Sequence, residues 1–136
     1  MKKINLFNRF VSVACIILLS FGMTGCNEET KTVHNTEVHH VVFCWLKDTN
    51  DMRLKSKIIE ESYGLRKIPG IIQFKVGKSL ESHRDIVDDS FDFAIYMTFD
   101  SKDAMDRYID HPVHKKFVSQ LLKPVLNKVL VYDFIN

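Results

Sequence analysis

Apolar residues alternate along four stretches of the chain and recur at helical spacing between them. "VHHVVFCWL", residues 38–46, carries His40, Val42, Cys44 and Leu46 on one alternation and Val41, Phe43 and Trp45 on the other, the pattern of a strand covered on both faces. "KDTND" then supplies turn chemistry and an N-cap at Asn50 or Asp51. The helix that follows has the stripe Leu54, Ile58, Leu65 and Ile68, with Glu61 in its middle, and stops at "KIPG". "IIQFKVGK" is a second strand, and "SLESHRDIVDD" a polar loop. "SFDFAIYMTF" is a third strand, with Phe91, Phe93, Ile95, Met97 and Phe99 on one face and Asp92, Ala94, Tyr96 and Thr98 on the other. A second helix begins after an N-cap at Asp100 or Ser101 and breaks at Pro112, a residue favoured at the first position of a new helix, with His111 near that helix's N-cap. "KVLVYDFI" is the last strand. The order βαββαβ, with its second helix split, predicts an α+β ferredoxin-like sandwich. Helices on one side should leave the other face polar, yet Val41, Phe43, Trp45 and Tyr96 point there, so a second sheet from an identical chain, a homodimer, is expected to cover it.

The segment upstream of these elements has a different character. "MKKINLFNR" is a basic leader, and "FVSVACIILLSF" is an apolar run of signal-peptide length that is too short to span a membrane as a stable helix. "GMTGC" resembles the lipobox of bacterial lipoproteins, with Met23 where leucine is commonest. That resemblance implies cleavage after residue 25 and lipidation of Cys26. Residues 26–37 then form a polar tether reaching about 35 Å when extended, and residues 38–136 form one domain. Glu28 and Glu29 resemble surface-export signals of some Gram-negative lipoproteins, so the expected location is the cell envelope, lipid-anchored at the outer membrane of a Gram-negative bacterium.

Charge and cysteine usage alter this picture only slightly. Loss of Lys2, Lys3 and Arg9 from 19 basic side chains, against 17 acidic, turns a formal charge of +2 into about −1. No basic stripe remains to argue for nucleic acid. Cys15 leaves with the leader and Cys26 is acylated, so Cys44 stands alone and no intrachain disulfide is expected.

Five pieces in order, "HHVVFCWLK", "IPG" with "KVGK", "FAIYMTFDSKDAMDRY", "HPVH" and "VLVYDF", resemble the stress-responsive dimeric α/β-barrel (Dabb) domain across Val38 to Asn136. The resemblance implies two four-stranded sheets paired into a dimeric α/β barrel. Most such domains have no established chemistry, while a plant polyketide cyclase in the family uses a histidine and a tyrosine in a pocket between sheet and helices. Carried over, its histidine base corresponds to His114, its tyrosine to Tyr108 and a first-strand pocket histidine to His40. A third-strand pocket histidine corresponds to Phe93, which makes the implied cavity less polar.

The residues themselves allow chemistry and packing alike. His114 lies near a helix N-terminus, whose dipole disfavours imidazolium and so favours the neutral form that a general base needs. Tyr108, one turn and a corner away, is suited to donate to a carbonyl oxygen gaining charge, and Glu61 to orient a histidine. Equally, His111 and His114 suit the capping of a helix junction, His40 a satisfied strand position, and Glu61 an exit to solvent. No metal site is expected, because His111 and His114, or His39 and His40, would need a third ligand that no motif supplies. No cofactor is implied. Trp45 invites comparison with the haem-degrading and quinone-forming monooxygenases of the same barrel, but without their matching residues it reads as an interface tryptophan. Three functions stay open: a lipid-anchored stress-associated or small apolar ligand-binding module, a cofactor-independent enzyme acting on a small carbonyl compound, and a purely structural envelope dimer.

Overall fold

The computed structural model describes residues 36–136; the expected signal peptide, Cys26 and most of the tether lie outside them. Strand β1 (Val38–Leu46) is followed by helix α1 (Met52–Ser62), strand β2 (Ile71–Lys78), strand β3 (Phe93–Phe99), helices α2 (Lys102–Asp110) and α3 (Pro112–Lys116), and strand β4 (Leu126–Ile135). The sheet runs β2-β3-β1-β4, and every neighbouring pair is antiparallel. This is the ferredoxin-like βαββαβ arrangement, with the first strand in the middle of the sheet, where its apolar residues on both alternations are best used.

Local chemistry starts and stops the helices. Asp51 Oδ1 accepts from the Leu54 amide at 2.9 Å and caps α1, and Ser101 Oγ accepts from the Ala104 amide at 3.2 Å and caps α2. His111 has extended backbone and its Nδ1 accepts from the Val113 amide at 3.2 Å, so it is the N-cap of α3, with Pro112 in the first turn. α1 stops at Ser62 rather than running on to Ile68: residues Tyr63–Lys67 tighten into a 3₁₀ turn that still buries Leu65 and Ile68. Gly70 then turns the chain into β2 with φ +97°, and an added Cβ there would lie 3.0 Å from Ala104 Cβ.

The core lies between the helices and the face bearing His40, Val42, Cys44, Leu46, Phe93, Ile95, Met97 and Phe99. Cys44 is buried there, and burial, with Asp92 nearby, pushes its thiol up to about 12, so it is a packing residue with little thiolate character. Phe91 and Asp92 do not continue the alternation expected of them. β3 starts only at Phe93; Phe91 packs on the opposite face against Phe43 and Trp45, with centroids 5.0 and 6.4 Å away. Asp92 turns inward, accepting from the Leu46 amide at 2.7 Å and pairing with Lys55 Nζ at 2.7 Å. A buried carboxylate with both a charge partner and a backbone donor is satisfied, and this one ties α1 to the end of β1.

Among the described residues, nothing covers the other, largely apolar face of the sheet. Tyr132 and Phe134 are about half exposed, and His39 stacks on Phe134 with centroids 4.5 Å apart. Lys128 Nζ sits 4.3 Å above the Trp45 ring, whose Nε1 donates to Ser90 Oγ at 3.0 Å.

Candidate functional site

A cavity of about 340 Å³ lies between the sheet and the α2–α3 corner, within the size range of small-molecule sites. Its walls are mostly apolar, including Val42, Ile95, Met97, Phe117, Leu122 and Val131. The polar groups are His40, Tyr108, His114 and Asp133. Phe117 and Leu122 open and close a π-helical turn, Phe117–Leu122, a widened geometry often found beside functional sites.

Each polar side chain arrives from a different element. His40 points to the helix side of β1, opposite Met97 of β3 and Asp133 of β4. Its Nδ1 lies 2.6 Å from Asp133 Oδ1. A carboxylate accepts, so Nδ1 carries the hydrogen and Nε2 is the nitrogen left for the cavity. Tyr108 shares the buried face of α2 with Ala104 and Met105 and is 1% exposed. Its ring contacts Phe99, His40 and His114 with centroids 5.2, 6.1 and 4.5 Å apart. Burial pushes its phenol well above the usual range, which keeps the hydroxyl protonated.

His114 is positioned by the helix break. Its Nδ1 lies 2.9 Å from the Ile109 carbonyl, one of the last carbonyls of α2, which can only accept. The hydrogen is therefore on Nδ1, and Nε2 keeps its lone pair. Burial lowers the His114 pKa below its ordinary value, and the nearby His40, His111 and Lys115 add to this, while the bond to Ile109 opposes it. The ring is neutral at pH 7. His111 and His114 thus divide the junction between them: one caps α3, and the other holds the end of α2 and lines the cavity.

Two of the expected pocket residues lie elsewhere. Glu61 is exposed and lines a separate, charged groove of about 440 Å³ with Lys57 and Lys116. The buried direction of α1 falls between Ile58 and Ser62, which leaves Glu61 roughly 80° round the helix, and a carboxylate is cheaper in water than in the core. That groove is the larger of the two, but neither histidine nor tyrosine lines it. Phe93 is wholly buried and pairs with Cys44, four residues along β3 from Met97, about 13 Å from the polar groups around His40. Asp133 is the cavity residue that the sequence reading overlooked. Its signal was an acid on the same strand alternation as Val129 and Val131.

Comparison with known proteins gives the fold its family. The Stress responsive A/B Barrel Domain (Dabb) matches residues 38–136, and the chain belongs to that family. A stress-response A/B barrel domain-containing protein of Arabidopsis thaliana is 34% identical over 67 residues, which is 49% of this chain and 59% of that protein; the match thus spans little more than half of the relative's length. Among solved structures, a dimeric ferredoxin-like protein of unknown function from Thermobifida fusca has a TM-score of 0.63 at 20% identity, covering 76% of this chain and 93% of that one. A hydroxynitrile lyase from Passiflora edulis has a TM-score of 0.66 at 24% identity, covering 75% and 94%. These likenesses show the fold, and solved relatives of this fold are dimeric.

Proposed function

We propose that the domain is a homodimeric module, lipid-anchored in the cell envelope, that binds a small and largely apolar ligand in the cavity at the α2–α3 corner. The observation that carries this reading is the cavity itself: apolar walls with His40, Tyr108 and His114 among them, each held by packing or a hydrogen bond. A purely structural dimer gives no reason for buried polar groups around a hollow of this size. Native mass spectrometry of protein extracted gently from its own cells tests the reading. A co-purifying small molecule that is lost in Tyr108→Phe and His114→Ala supports it, and equal occupancy in all three proteins refutes it.

Homodimerisation is supported by the uncovered apolar face and by the dimeric solved relatives. Trp45→Glu puts a carboxylate on that face, which costs several kcal/mol if it is buried unpaired. Light scattering should then show a wild-type dimer and a variant monomer; a stable wild-type monomer at micromolar concentration refutes the pairing. The anchor is supported by the leader and the residues before Cys26. Cys26→Ala should lose both acyl mass and membrane retention, and an unmodified wild type in a lipoprotein-processing host refutes that reading.

A second reading, cofactor-independent catalysis on a small carbonyl compound, is favoured by one specific feature. The neutral His114 keeps a nitrogen lone pair beside a protonated phenol, a base next to a hydrogen-bond donor. His114 would take a proton next to the carbonyl, and Tyr108 would hold the oxygen on which charge develops. Turnover that falls at least about a hundredfold in both His114→Ala and Tyr108→Phe, with binding retained, would distinguish catalysis from binding alone.

A further inference from the structure

His39 lies on the sheet face away from the cavity, the face that a second copy covers in the homodimer reading. It sits directly opposite Thr98 of β3 and Phe134 of β4. Its ring stacks on Phe134, with centroids 4.5 Å apart and planes 10° from parallel. Its Nδ1 lies 2.8 Å from the Tyr96 hydroxyl, a neutral partner that can donate or accept. The other ionisable strand residues of this face are Lys75, opposite Tyr96, Lys128, opposite Trp45, and Tyr132, opposite Val41; none is an acid. Among the described residues, carboxylates meet this face at its rim: Glu37 and Asp100 stand one residue outside β1 and β3, and Asp88 is close enough to Lys128 to feel its charge. Asp100 Oδ1 accepts from Ser101 Oγ at 2.8 Å, and His39 takes part in none of the ion pairs among the described residues.

We propose that His39 makes assembly of the homodimer depend on pH: two copies pair through the neutral imidazole, and acid separates them. This rests on the homodimer reading above and adds a regulation to it. In a single copy, an imidazolium at this position keeps water on its open side. A second sheet removes that water and, because the pairing is between identical faces, offers aromatic rings, Lys75 and Lys128 in its place. The stack on Phe134 and the contact with Tyr96 already exist before pairing, so neither offsets the change. The sign follows from linkage. Separated copies take up the proton more easily than the pair does, so falling pH draws the equilibrium toward monomers, and each dimer carries two such histidines. Histidine is the side chain that changes charge between about pH 5 and 8, whereas the lysines and tyrosines of this face keep theirs across that range.

The test is sedimentation equilibrium of the full-length chain in density-matched detergent, with micelles in large excess over protein, at about pH 7.5 and about pH 5.5. Circular dichroism of the same samples reads folding. The expected result is a wild-type dimer whose dissociation constant rises at least about tenfold at the lower pH while the chain stays folded. His39→Gln and His39→Phe, which have no proton to gain at this position, should hold the constant nearly level; one variant is polar and the other apolar, so whichever keeps the dimer at the higher pH reports. A wild-type dimer of equal strength at both pH values overturns the inference and leaves the homodimer reading intact. So does a pH response that persists in the variants, or dissociation that occurs only together with unfolding. A wild-type monomer at both pH values overturns the homodimer reading and this inference with it.

Discussion

Replacing Asp133 probes the site where geometry is most specific. Asp133 accepts the Nδ1 hydrogen of His40 at 2.6 Å, and the histidine side chain is 9% exposed while the carboxylate is 43% exposed. Asp133→Leu removes the acceptor and leaves a nearly buried N–H. A bond to a charged group contributes about 1.5–3 kcal/mol, and the half-exposed carboxylate lets water screen and partly replace it, so a loss of about 1–2 kcal/mol is expected. For a domain of this size that lowers Tm by roughly 5–15 °C. Asp133→Asn removes the charge and keeps a carbonyl acceptor, and should cost less than half as much. Thermal denaturation of the two variants beside wild type measures the order, and nitrogen-resolved NMR of His40 reports the tautomer: Nδ1–H in wild type and Asn, released in Leu. If the leucine variant matched wild type in Tm, or the asparagine variant were the less stable of the two, the hydrogen bond would not be what orients His40.

Gly70→Ala should destabilise by about 1–3 kcal/mol, because φ +97° strains an L-residue and the new Cβ meets Ala104 Cβ at 3.0 Å; a chemical melt unchanged from wild type would contradict that turn geometry. His114 titrates lower folded than its ordinary 6.5, so the unfolded chain binds its proton first as pH falls. Stability therefore declines with acidification below about 6.5, and His114→Gln should flatten that decline; identical pH slopes would mean the histidine is not desolvated. Asp92→Ala leaves Lys55 and the Leu46 amide without their partner and should cost about 3–5 kcal/mol, while a loss below about 1 kcal/mol in a urea titration would mean the pair is solvated.

The sequence by itself determined the elements, because each is specified within a few residues. Two-residue alternation marks the strands, Asp51 and Ser101 cap helices with their own side chains, and Pro112 ends one helix while starting the next. From those elements the order βαββαβ and its fold follow, and so does the apolar surplus on the far face of β1. What only the tertiary structure decided is which side chains meet. His40 and Asp133 are 93 positions apart and face each other because β1 and β4 pair in a register set by the burial of whole strand faces, not by either residue. Phe91 and Asp92 left their predicted faces because Asp92 found the Leu46 amide and Lys55, partners from distant parts of the chain. Glu61, inside an apolar stripe by spacing, went to solvent because the inward direction of a helix depends on what it packs against. Periodicity identifies a face; only packing supplies the neighbour, and a site is made of neighbours.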